Sequence, residues 1–291
     1  MPGRTIPILT TGLVLFVAAS TALGLGMRVQ PGGALIQGWP VGEKRELPVP
    51  FVVFNDDDKP RTVTLDAVKP SAVGGSTARG YSEIPDPAWL TFEKNEATVP
   101  PREHITVKMF LSVPDEARYR NGHWSVSIAA RGKAGPKERI GLALFPRFEI
   151  ETAASENDAA PVGVLAVTPS FFSIEDVVPD EKPRTRAFFV WNNSERPRRC
   201  AARILVRPAE GEKPLVPLSH GTTWIPSANW VSVKTPAFDV PANGKALVSV
   251  EVALPVGAGE NGVWEAVLLV TSEDDLTAFA RIRVATPKVE R

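Results

Sequence analysis

Residues 84 to 114 read IPDPAWLTFEKNEATVPPREHITVKMFLSVP, and residues 225 to 255 read IPSANWVSVKTPAFDVPANGKALVSVEVALP. The two align without a gap. Trp89 meets Trp230, Val99-Pro100 meets Val240-Pro241, and Pro114 meets Pro255. Self-similarity of this length within one chain marks a duplicated structural unit. Inside the unit apolar side chains recur every second residue. Ile105, Val107, Met109, Leu111 and Val113 alternate with Thr106, Lys108, Phe110 and Ser112, and Ala246, Val248, Val250, Val252 and Leu254 repeat the phase. A period of two sends one face of a strand into a core and the other to solvent. The closing prolines have no N–H for a ladder, so each strand ends there.

The match extends in both directions. PFVVFN (50–55) and AFFVWN (187–192) each precede a polar turn and another alternating run, DDDKPRTVTL and NSERPRRCAARI. Downstream, RNGHWSVSIAA (120–130) answers ENGVWEAVLLV (260–270). Asn-Gly pairs at 121–122 and 261–262 are expected to reverse the chain at positive φ, and Trp124 and Trp264 to plug the two cores. Counting runs gives about seven strands per copy, the spacing of an antiparallel sandwich. After Met27 no stretch of ten residues carries helical periodicity. The expected fold is all-β: an N-terminal segment (1–26), one sandwich (28–150), a linker ETAASENDAAP (151–161) and a second sandwich (162–287).

Composition agrees. A chain of 291 residues with 28 Pro and 22 Gly suits two turn-rich domains. Lys plus Arg and Asp plus Glu number 33 each, so no net field draws nucleic acid or an anionic membrane surface. At the N-terminus Arg4 precedes an uncharged run from Thr5 to Met27 that ends in small residues. That run reads as a secretory signal, or as an anchor that is not cut, and predicts an exported protein of the periplasm or cell surface. Cys200 is the only cysteine, so no internal disulfide can form.

Several features together carry a resemblance. Each copy opens with P-x-x-x-x-I (Pro31 to Ile36, Pro169 to Ile174) and has a strand ending in Asn (Asn55, Asn192). A tryptophan block then leads to VPP or VPA, an alternating strand is closed by Pro, and N-G-x-W follows. The pattern resembles bacterial immunoglobulin-like surface modules: the first domain of the WxL-interacting cell-surface proteins, and the pilus-chaperone-like and major-sperm-protein-like sandwiches. The resemblance implies two tandem immunoglobulin-like domains forming an exported, non-catalytic module that binds proteins or cell-wall material. The connection RGKAGPKER is short and charged where pilus chaperones carry a longer apolar segment, and no functional residue of these families is carried over.

No nucleophile elbow, zinc-protease helix, phosphate loop or dinucleotide fingerprint is present in the sequence, and no cofactor or metal is expected. His104, His123 and His220 read as exposed loop histidines, and Asp56-Asp57-Asp58 as a solvated turn. Asn192-Asn193-Ser194 matches a glycosylation acceptor. Candidate contact residues fall into three sets. Ile140, Leu142 and Leu144 form a run able to accept a partner strand if it lies at a sheet edge. Val267 and Leu269 lie on the expected outer face of their strand, which an interface between copies or between molecules would cover. Trp39, Tyr81 and Trp224, with Phe92, are aromatics able to stack on a cell-wall glycan. The expected partner is an envelope or surface protein, with chaperone action on surface-fibre subunits as the alternative.

Overall fold

The computed structural model describes residues 26–133, 141–156, 159–209, 212–258 and 262–287. The N-terminal signal or anchor segment and Ile140 lie outside the described residues. Among those described, no helix is long and apolar enough to cross a membrane.

The chain is almost entirely strand. The first half contributes β1 (Met27–Gln30), β2 (Gly33–Trp39), β3 (Lys44–Glu46), β4 (Phe51–Asn55), β5 (Arg61–Val68), β6 (Ser82–Glu83), β7 (Leu90–Phe92), β8 (Glu96–Val99), β9 (His104–Val107), β10 (Met109–Ser112), β11 (His123–Gly132), β12 (Leu142–Leu144) and β13 (Arg147–Thr152). The second contributes β14 (Leu165–Thr168), β15 (Phe171–Ile174), β16 (Arg184–Asn192), β17 (Arg198–Leu205), β18 (Thr223–Trp224), β19 (Val231–Val233), β20 (Ala237–Val240), β21 (Gly244–Val252), β22 (Val263–Ser272) and β23 (Thr277–Ala285).

The duplication holds at the level of pairing. The main sheet of the first copy runs β2-β13-β11-β5-β8, and that of the second runs β15-β23-β22-β17-β20. In each, the edge strand pairs in parallel with the last strand and every other pairing on that path is antiparallel. Facing it in the second copy is one sheet, β14-β16-β21-β19; in the first copy the same layer is split into β1-β4-β9 and β3-β10-β7. The split follows from Leu47-Pro48-Val49-Pro50, whose two prolines cannot donate to a ladder between β3 and β4. Hence more, shorter strands form than the periodicity counted.

Between the layers sit two apolar clusters. One gathers Phe51, Val53, Met109, Leu111, Trp124, Val126, Ile128, Phe148 and Ile150; the other Phe188, Val190, Val248, Val250, Leu268, Ala280 and Ile282. Val107, Met109, Leu111 and Val113 are all buried, as their alternation requires, and so are Val248, Val250, Val252 and Leu254. Trp124 is fully buried and meets Trp89 and Tyr119, while Trp264 is half-buried and stands edge-on to Trp230.

The repeated N-G-x-W stretch works differently from expectation. Asn121 does take positive φ (59°), but Gly122 does not. Gly122 is needed because the indole lies over it: a Cβ there would stand 2.4 Å from Cζ2 of Trp124. Gly262 repeats this at 2.0 Å from Cη2 of Trp264, and Asn261 lies outside the described residues. The N–H of each glycine donates to a threonine hydroxyl, Thr152 at 2.7 Å and Thr286 at 2.8 Å.

The strand-ending asparagines are also structural. Asn55 Nδ2 donates to the carbonyls of Lys59, Val99 and Pro100, and Asn192 Nδ2 to those of Arg196, Val240 and Pro241. Each thereby ties a turn to the neighbouring layer, and Asn192, fully buried, has no amide left for a glycan. Asp56, Asp57 and Asp58 pair with Arg28, Arg61 and Arg102 respectively.

Two boundaries are corrected. The last strand of the first copy does not stop at Leu144: it is interrupted at Phe145-Pro146 and resumes as β13 in the same register on β11, so Glu151 and Thr152 belong to a strand rather than to the linker. Val162, expected in the second sandwich, packs against the first core, and its N–H donates to the carbonyl of Arg118.

Candidate functional site

Alternation along β11, β13, β22 and β23 gives each main sheet a second face, turned away from its own core. On β13 that face carries Glu149 and Glu151; on β22, Glu265, Val267 and Leu269; on β23, Phe279 and Arg281. These residues are buried nonetheless. The two outer faces cover one another, and a third apolar cluster forms between the copies from Leu35, Tyr81, Val216, Val267, Leu269 and Phe279. Val267 and Leu269 are therefore packed within the chain, against the first copy.

Charge lies beside this cluster. Arg281, 1% exposed, donates from Nε and Nη2 to the two oxygens of Glu151 at 2.8 and 2.6 Å. Its Nη1 donates to Glu265 Oε1 at 2.6 Å and to the carbonyl of Pro217 at 2.6 Å. The Tyr81 hydroxyl donates to Glu151 Oε1 at 2.5 Å, and Gln37 Nε2 donates to Glu151 Oε2 and to Ser219 Oγ, both at 3.0 Å. An isolated charge could not be held here; a bidentate pair with its remaining lone pairs satisfied can be. Burial alone would raise the Glu151 carboxyl, but the Arg281 guanidinium and the hydrogen bonds it receives bring it down to about 2. Burial works against the charge on Arg281 as well, and Glu151 and Glu265 outweigh it, holding the guanidinium well above its ordinary value. Burial, with Glu151 beside it, pushes the Tyr81 phenol up.

A third layer of the junction is aromatic. The His123 imidazole stacks flat on Phe279, centroids 3.9 Å apart and planes 6° apart, with Tyr81 packed on both rings at 5.7 and 5.3 Å. His123 is thus not the exposed loop histidine expected, whereas His104 and His220 are exposed. Gly80 allows this approach, since a Cβ on it would stand 2.4 Å from Phe279 Cδ1, and its N–H donates to Thr277 Oγ1 at 2.9 Å. Asn121 closes the connection: its Oδ1 accepts from the N–H of Ser155 and of Ser170, at 3.0 and 2.9 Å. A cavity of about 370 Å³ opens beside the junction, lined among others by Gly80, Ser82, His123, Val167 and Thr277.

The remaining candidates lie apart. Leu142 and Leu144 are half-buried over the first core, in a strand that pairs with β11 on one side and with no other described strand. The aromatic set does not form a platform. Trp39 is 3% exposed in the first core, Phe92 also lies there, and Tyr81 is 6% exposed in the junction; the large apolar surface of each ring is satisfied by packing. Trp224 is half-buried on the wall of a groove of about 610 Å³ with Leu205, Pro208 and Leu215. Cys200 is buried, which pushes its thiol up to about 11. Among the described residues no group of three or more His, Cys, Asp or Glu is placed to hold a metal ion.

Sequence reasoning missed Glu149, Glu151, Glu265 and Arg281 because charge on the outer face of a strand ordinarily means solvent. The available signal was Val267, Leu269 and Phe279 on the same face.

No family model matches this sequence. No curated protein matches it either. Solved structures with similar folds include a protein of unknown function from Porphyromonas gingivalis W83, at 12% identity and a TM-score of 0.35, covering 89% of this chain and 99% of that one. The periplasmic chaperone SfaE follows at 9% identity and 0.31, covering 89% and 99%. The E. coli chaperone DraB matches at 8% and 0.30, covering 90% and 96%.

Proposed function

We propose that this chain is an exported, non-catalytic tandem immunoglobulin-like protein of the cell envelope that works by protein–protein contact, as an assembly, scaffold or adhesion component. The observation that carries the reading is the one-sided pairing of β12: Leu142–Leu144 bonds to β11 and, among the described residues, to no strand on its other edge. An open edge can add a partner strand, with backbone hydrogen bonds supplying affinity and alternate side chains supplying selection. Support for a non-catalytic role comes from the buried charges, since Glu151, Glu265 and Arg281 are spent on one another. The uncharged run from Thr5 to Met27 supports export.

The test places a photo-crosslinking residue at Ala143, which is exposed between the two leucines. Crosslinking in envelope fractions should trap a defined protein, and Leu142→Asp with Leu144→Asp should abolish the adduct. Because both leucines pack on the first core, the thermal transition should fall but stay above the crosslinking temperature. Adducts that persist in the charged variant would count against the strand edge as the contact.

A second reading, chaperone action on surface-fibre subunits, draws on the same edge, where apolar Leu142 and Leu144 alternate beside a core. It requires transient capture of unfolded clients, and failure to slow aggregation of any subunit would remove it. Trp39 and Tyr81 are buried, and of the three candidate aromatics Trp224 alone keeps part of its ring on a groove.

A further inference from the structure

The junction holds one imidazole, and its placement differs from every other contact there. His123 comes from the first residue of β11 and its ring lies flat on Phe279 of the second copy. It lines the cavity beside the junction, so water and protons reach its edge while its face is covered. We propose that His123 is an acid-sensitive latch: protonation of its imidazole separates the two sandwiches at the junction while each stays folded.

The groups facing the ring from each packed element set the sign. Tyr81 packs beside it just before β6, Glu151 sits opposite it on β13 with Glu149 two residues away, and Arg281 approaches from β23, itself paired with Glu265 of β22. Burial disfavours the imidazolium, Glu151 partly opposes this, and Arg281 adds to it, so the ring is pushed down to about 4. Separation would return the imidazole to water, where it titrates near 6.5. The closed form thus binds the proton less tightly than the open form, and acid favours opening. The closed state is fully favoured above about pH 6.5 and loses that advantage as pH falls toward 4, a gain in the opening constant of roughly two orders of magnitude. In the closed form Glu151 stays ionised through this window, being held at about 2. Separation removes Arg281 from it and returns it toward its ordinary 4.5, so below about pH 4.5 Glu151 adds to acid opening in every variant and the latch is read above that pH. Burial raises Glu149, which acts in the opposite sense and is common to every variant below.

The experiment is small-angle scattering of the full chain from pH 7 to 3.5, with Trp emission recorded in parallel. The wild type should expand as pH falls through the window while the blue-shifted tryptophan emission, to which buried Trp39 and Trp124 contribute, is kept. His123→Phe, which keeps a flat ring and takes no proton, should stay compact down to about pH 4.5, where the wild type has already begun to expand; His123→Leu serves if that variant does not fold. Phe279→Leu, which keeps the imidazole and loses the stack, should expand at higher pH than the wild type. Expansion of the non-titrating variant at the wild-type pH, a wild type compact down to pH 3.5, an unshifted Phe279→Leu profile, or a loss of the blue-shifted tryptophan emission coincident with expansion would each overturn the proposal.

Discussion

Arg281 holds Glu151 through two parallel hydrogen bonds across 130 residues of chain, from Nε to Oε2 at 2.8 Å and from Nη2 to Oε1 at 2.6 Å. The strands that carry them are the last of each copy. A duplicated sandwich has thus turned the outer faces of its two main sheets toward each other, and a buried ion cluster joins them.

Removing the guanidinium leaves two buried carboxylates facing a void. Arg281→Ala should cost about 3 to 5 kcal/mol in urea unfolding, the range for breaking a buried pair by deleting one partner. Glu151→Gln, which retains Arg281 with Glu265, should cost less. Equal costs for the two variants would mean that the cluster adds nothing beyond packing.

The Glu151 carboxyl is lowered from 4.5 to about 2 in the folded protein. A carboxyl depressed on folding contributes stability above its unfolded value and loses it as pH falls toward the folded one. Between about pH 4.5 and 2 the chain should lose on the order of 3 kcal/mol from this group. Comparing urea midpoints at pH 5 and pH 2.5 measures the loss, and Glu151→Gln should flatten the slope.

Gly122 and Gly262 stand where an indole leaves no space for a methyl group. Gly122→Ala and Gly262→Ala should each lower stability by about 1 to 3 kcal/mol through overpacking, although neither position needs positive φ. Trp124→Ala should cost about 3 to 5 kcal/mol by opening a cavity in the first core. Differential scanning calorimetry of the three variants checks both figures.

Asn55→Ala and Asn192→Ala each strip the partner from three backbone carbonyls. A loss of about 1 to 3 kcal/mol in each is expected, since a buried acceptor without a donor keeps its desolvation cost. Matching losses in the two copies would show that the repeated asparagine does the same task twice; chemical denaturation resolves them.

Some of this was legible along the chain and some was not. The gapless match of 84–114 to 225–255 and its alternation place the inward residues from Val107 to Val113 and from Val248 to Leu254 correctly, because burial on one face of a strand is a local, every-other-residue property. The asparagines that end β4 and β16 were visible as a repeated feature, though their carbonyl partners, more than 40 residues away, were not. RFEIET at 147–152 was not recognised as a strand, since Glu149 and Glu151 look like solvent-facing charge. Trp39 and Tyr81 looked available to a ligand because periodicity says nothing about what covers a ring.

The amino-acid order by itself determined the duplication, the two sandwiches and the inward face of the strands, all governed by spacing between near neighbours. Only the tertiary structure decided that the outer faces of the main sheets close on each other, burying Glu151 with Arg281 and His123 against Phe279. The physical reason is that a charge or a ring is stable inside only when a partner arrives from elsewhere in the chain. Such a meeting is fixed by the packing of whole sheets and leaves no local period to read.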